Sequence, residues 1–241
     1  MAIALDTSTY GSFVNPGTTL TWSHTVTGTN PVLFVGAIAA TTDILTGITY
    51  NGVAMTLVGK GAGGSDRFIY LYVLAAPATG AHNIVVSSAS SYLTGFATSY
   101  TGGHQTTPID SFAVTTTAGA DPLPGSTTVV AANCWLVATG RGTQSPVTAG
   151  ALTTARAQES DFSSGGMYDS NGTVATGVRS LEINFSSSGA GAIIVASLAE
   201  AGGGGGSAIV PIVLAQFRQR HRALVRRPAR RELLAALGRA A

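Results

Sequence analysis

Hydrophobic and polar residues alternate one for one in several places along the chain, and two other runs are apolar on both faces. In LTWSHTV, Leu20, Trp22, His24 and Val26 fall on one side and Thr21, Ser23 and Thr25 on the other. That is the period of a strand with one buried face. LEINF repeats it, with Leu181, Ile183 and Phe185 inward. VLFVGAIAA (32–40) and FIYLYVLAA (68–76) are apolar on both sides, which predicts central strands covered on each face. Further strands are predicted over 84–88, 93–100, 111–117, 126–140, 178–186 and 190–201. Between ITY and VAMTLVG, Asn51-Gly52 predicts a type I′ hairpin turn, because both of its central positions need φ > 0. The connections GKGAGGSD, TGGHQTTP, AGADPLPGS and ESDFSSGGMYDSNGTVATG are turn-forming in composition. No stretch before residue 201 has a helical period. The expected fold of residues 1–201 is therefore all-β, a two-layer antiparallel β-sandwich of jelly-roll-like form.

The pattern changes after residue 201. Gly202 to Gly206 cannot pack a core, so 202–207 reads as a linker. In 208–241, Pro211 suits a first helical turn, Pro228 should stop that helix, and ARRELLAAL allows a second one before Gly238. This predicts a short helical tail. Charge divides at the same place: residues 1–206 carry a net −5 and the remainder +7, with eight arginines against Glu232. The tail is thus the expected docking element, through Phe217, Arg218, Arg220, Arg222, Arg226, Arg227, Arg230 and Arg231 on an anionic surface. Nucleic acid would be met only through these arginines.

Cys134 is the only cysteine, which excludes an intrachain disulfide and a thiolate metal cluster. No apolar run reaches eighteen residues, and the start lacks a basic n-region, so neither a membrane span nor Sec export is expected. The chain has no G-x-S-x-G, H-E-x-x-H, Walker or dinucleotide motif, and no catalytic residue is expected. His24, on an apolar strand face beside Trp22, reads as a hydrogen-bonded core residue. Two binding constellations remain. In the loop from Glu159 to Gly172, Asp161, Asp169 and Asn171 offer hard oxygen ligands for calcium, the one cofactor considered. Tyr92, Tyr100, Phe162 and Tyr168, read at strand ends or in loops, are candidates to stack on sugar rings.

ITYNGVAMTLVG, FIYLYVLAAPATGAHNIVVS and ATSYTGGHQTTPIDS together resemble a group of uncharacterised β-sandwich domains of phage structural proteins and bacterial surface proteins. The resemblance rests on Asn51-Gly52, the Pro77 to Gly80 turn, Tyr100 to Gly102, and Thr107 to Asp110, and covers roughly residues 45 to 115. These elements are structural punctuation, so it bears on fold more than on activity. With the cysteine-poor composition and the lack of an export signal, it implies a non-enzymatic structural or assembly protein. The expected role is a phage virion component, either a capsid decoration or a tail-associated sandwich, made in the host cytoplasm. Its partners would be proteins, with a homo-oligomer expected. The alternative is a carbohydrate-binding or adhesion module of a bacterial surface protein, located outside the cell.

Overall fold

Seventeen strands among the described residues account for the pattern. The computed structural model describes residues 1–40, 43–64, 67–89, 92–159 and 164–202. The first nine strands are β1 (Ala4–Val14), β2 (Thr19–Val26), β3 (Val32–Ala40), β4 (Leu45–Tyr50), β5 (Val53–Ala54), β6 (Thr56–Ala62), β7 (Arg67–Ala75), β8 (Gly80–Ser88) and β9 (Leu93–Thr101). The rest are β10 (Ile109–Thr117), β11 (Leu123–Val129), β12 (Trp135–Gly142), β13 (Thr148–Ala149), β14 (Thr154–Glu159), β15 (Gly165–Asp169), β16 (Gly177–Asn184) and β17 (Gly191–Leu198). They form four antiparallel sheets. The compact unit runs over Met1–Gly205. The predicted linker beyond Gly202, both tail helices and every docking residue from Phe217 to Arg231 lie outside the described residues. No helix among the described residues is long and apolar enough to cross a membrane.

The sandwich occurs twice. Residues 4–101 make an inner sheet β1-β9-β3-β7-β6 and an outer sheet β2-β8-β4-β5. Residues 109–198 make an inner sheet β10-β17-β12-β15-β14 and an outer sheet β11-β16-β13. Each pair is a jelly roll, and apart from β5, which has no counterpart, the second repeats the strand order of the first. Local irregularities repeat as well. Asp6 interrupts the β1–β9 register as Asp110 interrupts β10–β17, and Val58 interrupts β6–β7 as Arg156 interrupts β14–β15. Asn30 and Asn133 both enter the third strand of their roll with positive φ.

The two inner sheets stack face to face, so the described residues form four layers with three cores. Leu33, Val35 and Tyr70 meet Ile48, Ile84 and Val86 in the first roll. Leu136 and Ile193 meet Leu181 and Ile183 in the second. Phe34, Ile38, Leu71 and Phe96 meet Val137, Met167 and Ile194 between the rolls. Inner strands are covered on both faces, which is why VLFVGAIAA and the first part of FIYLYVLAA show no polar side. Each fully buried Leu, Ile or Phe contributes roughly 1.5–3 kcal/mol of transfer free energy.

The stacking is reciprocal. β6 of the first roll lies against β10 of the second, and β14 of the second against β1 of the first. The rolls are thus related by a pseudo-twofold axis near the crossing of β3 and β12. Close approach there requires glycine: a Cβ on Gly36 would stand 2.6 Å from Thr139 Oγ1 and 2.8 Å from Met167 Sδ.

Asn51 and Gly52 have φ of 50° and 75°, the signature of the predicted type I′ turn, and Tyr50 pairs with Val53. The single strand predicted over 126–140 is broken by the turn at Asn133, into β11 in an outer sheet and β12 in an inner one. β1 and β15 are rich in Ser, Thr, Gly and Asp, and β14 (TARAQE) has only alanine for an apolar face, so the alternation did not reveal them.

Candidate functional site

Two networks of polar side chains stand out, one inside the first roll and one between the rolls. The first is built on β1, β2 and β9. The Trp22 indole lies over the paired Gly11 and Gly95, where an added Cβ would stand 2.6 and 2.4 Å from the ring. Its Nε1–H donates to Thr9 Oγ1 at 3.0 Å, and Thr9 Oγ1 lies 2.8 Å from His24 Nδ1. On the other side His24 Nε2 lies 3.1 Å from Ser99 Oγ, which donates to Asp6 Oδ2 at 2.7 Å. Because the Ser99 proton points at Asp6, His24 Nε2 is the donor to Ser99, and Nδ1 accepts from Thr9. Asp6 also accepts from the Thr27 amide at 2.9 Å and from the Thr27 hydroxyl. Burial pushes the Asp6 carboxyl up, but the hydrogen bonds from Thr27 and Ser99 outweigh it and hold it below its ordinary value. Burial lowers His24 to about 4, against a partial opposing pull from Asp6, so the ring is neutral near pH 7.

Serine, histidine and aspartate here are the residue types of a hydrolytic triad, but their order is wrong for one. In a triad the histidine sits between acid and nucleophile and takes the nucleophile's proton. Here the serine sits between histidine and acid and gives its proton to the acid, and both Ser99 and His24 are buried. The arrangement closes a strand corner. Its counterpart in the second roll supports this: Asp110 accepts from the Val130 and Ala131 amides at 2.7 and 3.2 Å, with Ser197 Oγ at 3.4 Å. At the position of His24 the second roll has Thr127, bonded to Ser111 at 3.0 Å.

The second constellation joins the rolls. Asp169, at the end of β15 and fully buried, accepts on Oδ2 from Tyr100 Oη of β9 at 2.9 Å and from Arg156 Nε of β14 at 2.7 Å. Its Oδ1 accepts from the Asn171 amide at 2.9 Å, and Arg156 Nη2 donates to Asn171 Oδ1 at 2.6 Å. Burial and the Asp169 charge raise the Tyr100 phenol well above its ordinary value, so it stays a donor. Its ring meets Phe34 and Trp135 edge-on, at centroid distances of 6.0 and 5.9 Å. The pseudo-twofold places Val58, Val73 and Leu198 where this end has Arg156, Asp169 and Tyr100. One end of the interface is apolar, and the other carries a charge pair with a phenol.

These facts correct the sugar-stacking role of Tyr100 and Tyr168. Tyr100 and Tyr168 are wholly buried and present no ring face to a sugar. Tyr92 is half-buried, with the Arg67 guanidinium 4.9 Å from its ring centroid and Phe13 at 5.8 Å. Of the calcium set, Asp169 and Asn171 do come together, but Arg156 already bonds the oxygens a cation would need. Asp161 and Phe162 lie outside the described residues. Among the described residues no group of three or more His, Cys, Asp or Glu could hold a metal ion. Sequence reasoning missed the Tyr100–Arg156–Asp169 network because its members come from three strands, two of them unpredicted. It also missed the duplication, whose trace is Leu20-x-x-Ser23-x-Thr25-Val26 against Leu123-x-x-Ser126-x-Thr128-Val129, and Ala78-Thr79-Gly80 against Ala175-Thr176-Gly177.

Fold and polar networks thus define a tandem pair of face-to-face jelly rolls. Family models, curated proteins and solved structures all gave no match to the chain.

Proposed function

We propose that this protein is a non-enzymatic structural subunit of a virion, as a capsid decoration or a tail-associated sandwich of a phage. The observation that carries the reading is the use made of buried polar chemistry: the Ser–His–Asp cluster closes a strand corner, and the Tyr–Arg–Asp cluster joins two rolls, so the charges of both clusters serve rigidity. Jelly rolls recur in capsid proteins, and a fused pair is a preformed building block. The acidic body and basic tail supply opposite charges for contacts between neighbouring subunits.

The test is the composition of particles purified from the host, by mass spectrometry together with electron microscopy using an antibody to the folded body. The expected result is a fixed number of copies per particle at regular positions. A freely soluble protein that is absent from particles and is retained on glycan arrays overturns the proposal.

A further inference from the structure

Four strands border the two inner sheets: β1 and β6 in the first, β10 and β14 in the second. An edge strand offers unpaired N–H and C=O groups, and proteins blunt such edges with bulges, charges or short length. Three of the four are blunted. β1 is interrupted at Asp6 and again between Gly11 and Val14. β6 is interrupted at Val58 and carries Lys60, paired with Asp43. β14 is only six residues long and is interrupted at Arg156.

β10 differs. After an irregularity at its start it pairs with β17 without a break from Ser111 to Thr117, and those seven residues carry no charge. No described residue pairs with its outer side. None of the seven is buried, and Phe112 and Val114 are 51 % and 38 % exposed. At the positions of Phe112 and Val114, β1 carries Ser8 and Tyr10; Tyr10 is as exposed as Val114, but its ring stacks on Phe96 at 5.7 Å. The apolar layer between the rolls continues outward through these two side chains. Val114 Cγ2 and Phe112 Cδ2 lie 3.2 and 3.5 Å from where a Cβ on Gly59 of β6 would be.

We infer that β10 is a self-association edge, on which β10 of a second copy pairs antiparallel about a twofold axis at Val114. Backbone at an open edge is complementary only to another strand, and the sequence Ser111–Thr117 suits its own reverse. A twofold at Val114 sets Val114 against its mate and each Phe112 against the small Thr116 of the other copy. An uncharged strand meets no like charge across the axis, where directly opposed like charges would destabilise the pair. The two inner sheets containing β10 then form one ten-stranded sheet through both copies. This inference does not depend on the virion proposal.

The experiment is sedimentation velocity of the full chain from low micromolar to near-millimolar protein, in low and high salt. A monomer–dimer equilibrium that survives high salt is expected. Val114→Lys and Val114→Glu should each be monomeric, since the axis sets each new charge against its own copy, and an equimolar mixture of the two should recover a heterodimer. Circular dichroism and the melting curve establish that both variants are folded, and Phe112→Ser serves as a second variant that weakens the dimer without adding charge. A wild-type monomer at every concentration overturns the inference. So does a dimer that persists in both Val114 variants, or one that dissolves in salt and depends on the arginine tail. Failure of the mixture to pair overturns the proposed register.

Discussion

The pseudo-twofold supplies its own template for testing the Tyr100–Arg156–Asp169 network. Its partner positions hold Val58, Val73 and Leu198, so the molecule already shows an apolar solution to the same packing problem. Asp169→Val alone leaves the Arg156 guanidinium and the Tyr100 hydroxyl without their shared acceptor. Arg156 retains only its Asn171 contact, on a side chain 13 % exposed. Breaking one partner of a buried pair costs about 3–5 kcal/mol, and the lower end applies here because the arginine reaches partly into solvent. Replacing all members removes the charges and their desolvation together. The triple variant Tyr100→Phe, Arg156→Val, Asp169→Val keeps the aromatic ring against Phe34 and Trp135 and copies Val58 and Val73. It should lie within about 1 kcal/mol of the wild type or be more stable, as apolar replacements of buried ion pairs often are. Urea unfolding of the full chain, followed by tryptophan fluorescence and circular dichroism, measures both. A triple variant as unstable as Asp169→Val would refute the reasoning, because the cost would then lie in shape or in the Asn171 turn rather than in uncompensated charge.

Acid should weaken the fold through His24. With an ordinary value of 6.5 in the unfolded chain and about 4 in the fold, the unfolded state binds one more proton between those pH values. Stability contributed by the neutral ring is complete above pH 6.5 and falls by about 3 kcal/mol as pH drops to 4. In His24→Gln that slope between pH 6.5 and 4 should flatten in urea titrations, and an unchanged slope would assign it elsewhere. Gly36→Ala should cost about 1–3 kcal/mol by overpacking the pseudo-twofold, with partial recovery on adding Thr139→Ala. No loss in thermal unfolding would mean that the sheets separate easily. Replacing Asn51-Gly52 by Ala-Ala forces two alanines into positive φ at about 1–2 kcal/mol each, read as a lower urea midpoint.

What the sequence disclosed depended on whether a segment's neighbours were local. The Asn51-Gly52 hairpin and the inward faces of β2 and β16 follow from contacts within a few residues or from one buried side, and they were legible. The inner strands were recognisable as doubly covered, but not what covered them. Apolar faces on 32–40 are as consistent with one sandwich as with two stacked sheets. The Asp6 and Asp110 corners were hidden because a bulged aspartate breaks alternation and looks like a loop residue. Asp169 and Asn171 were singled out for their oxygens, and they do lie together. Their partner, Arg156, approaches from a strand that the pattern did not reveal.

Fusing two rolls into one chain changes what assembly can do. In a homodimer of separate rolls every substitution appears at both ends of the shared interface. An adhesive edge at one end would then be matched by an adhesive edge at the other, and pairing would continue from molecule to molecule into an open ribbon. A single chain escapes that constraint. Phe112 and Val114 occur at one end only, while Ser8, Tyr10 and Arg156 occupy the other. Association through β10 therefore terminates at two molecules, leaving the outer sheets free for other neighbours. The differences between its two rolls give this molecule a polarity that no symmetric pair of rolls could have.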